Sequence, residues 1–123
     1  MRVLVNALLI AVATSSNACK DSDKQKISGV HFPGFLLQCA TKYRSDLFNV
    51  GPCLVKGCGL SDVCAGCFST ASRCAAANCN SQCASSTTEC ESCIKDNCSQ
   101  VFHDCTGLKT PVPFPTKEEE KCY

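Results

Sequence analysis

Two Cys-x-x-Cys pairs, Cys64-Ala65-Gly66-Cys67 and Cys90-Glu91-Ser92-Cys93, are the residues of this sequence best suited to chemistry. Reduced, four thiolates at that spacing can chelate one zinc ion, two from each segment. A single pair at a helix start, where the positive helix end lowers a thiol pKa, can serve as a redox dithiol. Cys64 and Cys67 are better placed for that, since they open a predicted helix. Oxidised, the same residues are cross-links, and the sequence favours this outcome. The 22 residues between the pairs are long for a zinc pattern. Both pairs lie in helix-like sequence rather than in glycine-containing turns, and no βαβ pattern surrounds either one. Fourteen of the 123 residues are cysteine, a share above the roughly 8–10% that marks a disulfide scaffold. The even count fits seven bridges. The expected structural disulfide set is therefore Cys19, Cys39, Cys53, Cys58, Cys64, Cys67, Cys74, Cys79, Cys83, Cys90, Cys93, Cys98, Cys105 and Cys122, with partners unassigned. No catalytic, cofactor-binding or metal-binding residue is assigned, and no cofactor is expected.

His103-Asp104-Cys105 suggests a second chemistry. Secreted calcium-dependent phospholipases are similar in size, in cysteine number and in using an adjacent His-Asp pair on a helix. There the histidine is a general base and the aspartate binds calcium. In that family a Cys-Cys pair stands two residues before the dyad, and one residue separates the aspartate from the next cysteine. Here Cys98 is a lone cysteine, Cys105 follows Asp104 directly, and Lys56-Gly57-Cys58-Gly59 matches the Gly-rich calcium loop poorly. A hydrolase using His103 and Asp104 is thus an alternative to a structural histidine. His31 has no partner signal. No serine-nucleophile elbow, phosphate loop or paired-carboxylate motif is present. Asn97-Cys98-Ser99 fits the N-glycosylation triplet, with a cysteine in the middle and a helix around it.

The elements that must position these residues read as helices. Asp62 as an N-cap opens a helix over 63–78, with Cys64, Cys67, Ala71 and Cys74 on one stripe at steps of three, four and three. A second helix runs from about Thr88 to Cys105, with Cys90, Cys93, Ile94, Val101 and Cys105 along its stripe and Cys98 toward the edge. Thr88 and Glu91 form its predicted capping box, and Gly107 closes it. Between the two, Cys79 to Cys83 reads as a short helical turn. The two stripes are expected to face one another, with bridges running between the helices, because neighbours on consecutive turns of one helix are poorly placed to pair. Leu36, Leu37, Ala40, Tyr43, Leu47 and Phe48 lie near a helical period, which predicts a third helix over 34–49, opened by Pro33 and ended by Gly51-Pro52. Residues 19–30 read as a loose polar arm. Residues 106–123 read as an extended tail, Pro-rich at Pro111, Pro113 and Pro115, then charged, and pinned back through Cys122.

The amino terminus has the three-part layout of a secretory signal peptide: Met1-Arg2, an apolar run from Val3 to Ala13 broken only by Asn6, then small polar residues. The run is too short to span a bilayer, which needs roughly 20 residues. Cleavage after Ala13 or after Ala18 fits, and either leaves every cysteine in a mature chain bound for an oxidising compartment. Charge is nearly balanced, at a formal +1, which argues against nucleic acid as a partner. Residues 20–56 carry six bases against three acids, and residues 57–105 two bases against five acids. These two stretches are expected to be solvated or to face one another.

Cys53-Leu54-Val55-Lys56-Gly57-Cys58, Cys79-x3-Cys83 and Thr88-Glu89-Cys90 together resemble the cysteine-rich helical domain at the start of violaxanthin de-epoxidases, over about 40 residues. The spacing after Cys58 departs from that pattern, and the lipocalin-like catalytic domain of that family has no counterpart in these 123 residues. The resemblance implies a related stapled helical module and carries over no activity. The expected fold is mainly α: a small disulfide-rich helical domain over 19–105, a helical hairpin packed on a third helix, followed by the extended tail over 106–123. The expected function is that of a secreted, non-enzymatic, rigid binding or effector scaffold, with a protein or cell-surface partner and no transmembrane segment in the mature chain. A thiolate metal-binding protein and the His103/Asp104 hydrolase are the alternatives. The exposed loop from Asn80 to Thr88 and the basic helix around Lys42 and Arg44 are the surfaces to inspect first.

Overall fold

A computed structural model describes residues 17–115 and 117–123. They form six α-helices: α1 (Asp21–Ile27), α2 (Phe32–Lys42), α3 (Val50–Cys58), α4 (Asp62–Asn78), α5 (Asn80–Ser85) and α6 (Thr87–Thr106), with a 3-10 turn at Leu47–Asn49 before α3. No strand occurs among the described residues. The mainly helical class, the hairpin (α4 against α6) and the turn joining them (α5) agree with the sequence reading. The signal peptide expected over 1–18 lies mostly outside the described residues.

The predicted helix over 34–49 is a correction. The chain leaves α2 after Lys42 and turns back into α3. The Cys39–Cys53 bridge explains why: it holds these Cα atoms 5.9 Å apart across a sequence separation of 14. A helix running on to Asn49 would carry the chain about 15 Å beyond Cys39, leaving only four residues to bring Cys53 back to its partner. Gly51-Pro52 therefore begins a helix rather than ending one. In the first turn of α3 proline's missing N–H has no intrahelical partner to lose. Gly51 N–H donates instead to Ser69 Oγ at 2.7 Å, and that hydroxyl donates to Phe48 O at 3.0 Å. One buried serine of α4 thus ties down the start of α3.

The fourteen cysteines form seven bridges. Four are nested along the hairpin: Cys67–Cys105, Cys74–Cys98, Cys79–Cys93 and Cys83–Cys90. This is the antiparallel order expected of two facing stripes. Cys64 leaves the ladder and pairs with Cys19, and Cys58 pairs with Cys122. No bridge joins two cysteines of one helix.

Phe32 of α2, Phe68 of α4 and Phe102 of α6 are almost wholly buried and stack edge to face, with ring centroids 5.3 and 5.2 Å apart. Such pairs add to simple area burial. This spine changes the reading of α6. Its buried face carries Cys93, Cys98, Phe102 and Thr106, whereas Val101 is 41% exposed. A stripe through Val101 and one through Phe102 are both consistent with helical spacing. The larger ring takes the core, and Cys98, assigned to the edge by spacing, is fully buried with it. Two caps also shift. Ser86, not Thr88, caps α6, accepting from Glu89 N–H at 3.1 Å. Ser61, not Asp62, precedes α4. Gly107 closes α6 as expected, at φ 78° with its N–H on His103 O.

The loose arm is a second correction: residues 21–27 are helix α1. Asp23 is buried, and its carboxylate accepts from Lys20 N–H at 3.0 Å, Ser61 N–H at 2.9 Å and Ser61 Oγ at 2.7 Å. Lys26 Nζ donates to Gly59 O at 2.7 Å. Burial opposes ionisation of Asp23, but the donors of Ser61 and Lys20 and the nearby Lys26 charge outweigh it. They hold the carboxyl below its ordinary value. A segment polar in composition is therefore locked by one carboxylate, the Cys19–Cys64 bridge and buried Ile27.

Thr106 still belongs to α6, and from Gly107 the tail follows its expected course, without helix or strand among its described residues. Leu108 and Cys122 are buried, and Val112 to Pro115 are half-buried. Glu119 N–H donates to Gly34 O at 3.1 Å, and the Glu119 carboxylate lies 2.7 Å from His31 Nδ1. A Cβ on Gly34 would sit 2.6 Å from Glu119 Cγ and 2.8 Å from Lys117 O. Glycine at 34 is what allows the tail to lie on α2.

Candidate functional site: an apolar cleft under the tail

The helices and the tail enclose an open cleft of about 450 Å³. One wall is α2 and the turn after it, with Leu36, Leu37, Ala40, Arg44 and Leu47. The floor is α4, with Phe68, Ala71, Ser72, Ala75 and Ala76. Asn80 and Cys83 of α5, then Thr87, Cys90 and Ile94 of α6, form the far side, and Val112 to Pro115 of the tail cross it. The size is in the range of small-molecule sites, and the lining is the usual apolar majority with a few polar groups. Small side chains on α4 make the room: alanines at 71, 75 and 76 leave a trough where larger residues would close the packing between α2 and α6.

Arg44 is exposed and is, among the described residues, the one charged side chain lining this cleft. The ion pairs among the described residues are Lys24–Asp21 and His31–Glu119, so no carboxylate neutralises Arg44. Neither pair joins the basic stretch 20–56 to the acidic stretch 57–105; the charged groups that reach across do so through Asp23 on Ser61, Lys26 on Gly59 O and Arg73 over Phe48. Lys42 lies over the Tyr43 ring, 5.5 Å from its centroid. The two surfaces singled out in the sequence meet here. Arg44 stands on one side, and Asn80, Cys83 and Thr87 of the 80–88 segment on another. That segment is not a loop but α5, the Ser86 cap and the start of α6. Arg44 belongs to the turn after α2 rather than to a basic helix.

The cysteine pairs considered for chemistry are dispersed. Cys64 is bonded to Cys19, Cys67 to Cys105, Cys90 to Cys83 and Cys93 to Cys79. No free cysteine remains, so neither pair is a dithiol and no thiolate is available for a metal. The cysteines that carry the de-epoxidase resemblance lie in α3, at the α4–α5 junction, in α5 and in α6, and all are bridged. His103 is half-buried, its ring 5.9 Å from that of Phe102. Its Nε2 lies 2.8 Å from Thr110 O, so that nitrogen carries the hydrogen and donates it to the tail. Asp104 accepts from Gln100 Nε2 at 2.8 Å. Adjacent helix positions diverge by about 100°, and neither residue lines the cleft. Asn97 is exposed on α6, with its Nδ2 donating to Cys93 O at 2.9 Å.

On the other face of α4, exposed Phe48 is covered by the Arg73 guanidinium 4.1 Å from the ring centroid. No family model, curated protein or solved structure matches this chain. None of the described helices is long and apolar enough to cross a membrane.

Proposed function

We propose that this chain is a secreted, non-catalytic binding protein whose disulfide frame holds open the cleft between α2, α4, α6 and the tail for an apolar ligand. The observation that carries the reading is the cleft itself: a trough of about 450 Å³ with aliphatic and aromatic walls, braced on every side by bridged elements. Burying apolar surface is the main source of affinity such a site offers. A frame with so many cross-links keeps apolar surface exposed that an unstapled domain of this size would collapse upon. Secretion is supported by the positive, apolar and small-residue order of the first eighteen residues and by the number of bridges.

Two measurements test this. An intact mass of the protein recovered from the medium is expected to begin at residue 14 or 19, with no thiol open to alkylation. An amphiphilic dye such as anilinonaphthalene sulfonate is expected to bind and to shift backbone amide resonances of Leu37, Ala76 and Ile94. Ala76→Trp fills the trough and is expected to abolish both effects while near-UV circular dichroism stays native. Undiminished dye binding to folded Ala76→Trp would refute the cleft as the site.

A further inference from the structure

We infer that the ligand of the cleft is a single-chain alkyl carboxylate, a free fatty acid, with its chain along α4 and its carboxylate on Arg44; this rests on the binding reading above. Three features select this chemistry. First, α4 lines the trough over two turns. From Phe68 to Ala76 it follows α4 for about 12 Å, room for about ten extended carbons at roughly 1.2 Å per bond. Second, its walls are Leu36, Leu37, Ala75, Ala76, Ile94 and Val112. Ser72, Asn80 and Thr87 are the other polar side chains of the lining, so a ligand's polar group facing Leu36, Leu37, Ala76 or Ile94 would lose its water partners without replacement. An unsubstituted chain has no such groups. Third, among the described residues the cleft has one cation, Arg44, exposed and in no ion pair with a carboxylate. Its planar fork matches a carboxylate with two parallel hydrogen bonds. One guanidinium balances one negative charge. A phosphate monoester carries nearly two at neutral pH and would lack a second partner, since Lys42 is turned over Tyr43.

The chain's contribution and the head's contribution separate experimentally. Octanoate, decanoate, decanol and decyl phosphate are titrated into the full disulfide-bonded protein and into Arg44→Gln, with affinity read by calorimetry or by dye displacement. Affinity is expected to rise by up to about fourfold per added methylene from octanoate to decanoate. Decanoate is expected to bind about tenfold more tightly than decanol, the effect of a charge-assisted pair at a partly open site. Arg44→Gln is expected to remove that tenfold and leave decanol unchanged. Equal binding of decanol and decanoate to the native protein would overturn the carboxylate assignment and leave the cleft reading standing. Decyl phosphate binding more tightly than decanoate would overturn the single-charge assignment. If Arg44→Gln weakened decanol as much as decanoate, Arg44 would be packing against the chain and not pairing with the head. If no chain compound bound to protein with native circular dichroism, the cleft reading itself would fall, and this inference with it.

Discussion

The tail that crosses the cleft is held by Cys58–Cys122, and removing that bridge has a calculable effect. In the chain-entropy account a bridge stabilises by restricting the unfolded chain, more so for a larger ring. The two cysteines are 64 residues apart in sequence, but the other bridges remain closed when the protein unfolds. The shortest ring then passes through Cys67–Cys105. It takes ten residues from Cys58 to Cys67 and eighteen from Cys105 to Cys122, about 28 in all. That ring corresponds to about 3.6 kcal/mol at 25 °C, against about 4.3 kcal/mol if the separation of 64 were counted alone. Cys79–Cys93 is the control. Its ring closes through Cys83–Cys90 and holds about nine residues, which gives about 2.6 kcal/mol. All four cysteines are buried, so alanine at both positions of either pair loses similar packing, and the comparison isolates ring size. The assay is guanidinium unfolding of the oxidised protein, Cys58→Ala/Cys122→Ala beside Cys79→Ala/Cys93→Ala, fitted with a shared slope. The tail variant is expected to lose about 1 kcal/mol more than the control. Equal losses, or a larger loss for the control, would refute the ring argument and mean that the tail is held by its native contacts instead.

Asp23→Asn is expected to lower stability at pH 7 by about 2 kcal/mol, since an amide offers one acceptor oxygen where two carboxylate oxygens now take three hydrogen bonds. Because the folded carboxyl lies below its ordinary value, its contribution is present above the unfolded-state pKa and lost as pH falls through the folded one. The native melting temperature should therefore drop in acid and the Asp23→Asn profile should be flatter; parallel profiles would count against the role given to Asp23. Phe102→Ala is expected to cost about 3–5 kcal/mol and Val101→Ala under about 1 kcal/mol, measured by the same unfolding assay. The reverse order would restore the Val101 stripe as the core face. Gly34→Ala is expected to cost about 1–3 kcal/mol by pressing a methyl group into Lys117 and Glu119, and to speed tryptic cleavage at Lys117. Unchanged stability and cleavage would show that the tail does not lie on α2 in solution.

What was legible in the sequence was the part written in local spacing. Cysteines at steps of three and four give a helix with one sulfur-bearing face whatever the rest of the chain does, because the helical period is local. Two such segments joined by a short link can satisfy those faces against each other, so the hairpin and its cross-helix bridges followed. Gly107 as a helix stop and the proline-set course of the tail were equally local. The composition, with fourteen cysteines and little else to bury, determined that the domain would be stapled. Tertiary structure decided what spacing leaves degenerate. Cys39–Cys53 folded one predicted helix into two. Burial of the larger ring chose Phe102 over Val101. Asp23 found donors 38 residues away on Ser61 and turned a polar arm into a helix. The cleft is the extreme case. Arg44, Ala76, Ile94 and Val112 lie on four segments, and nothing in their own neighbourhoods marks them as one surface. They meet because the bridges bring the ends of those segments together, and a covalent pairing among distant cysteines is not encoded in the residues beside each one.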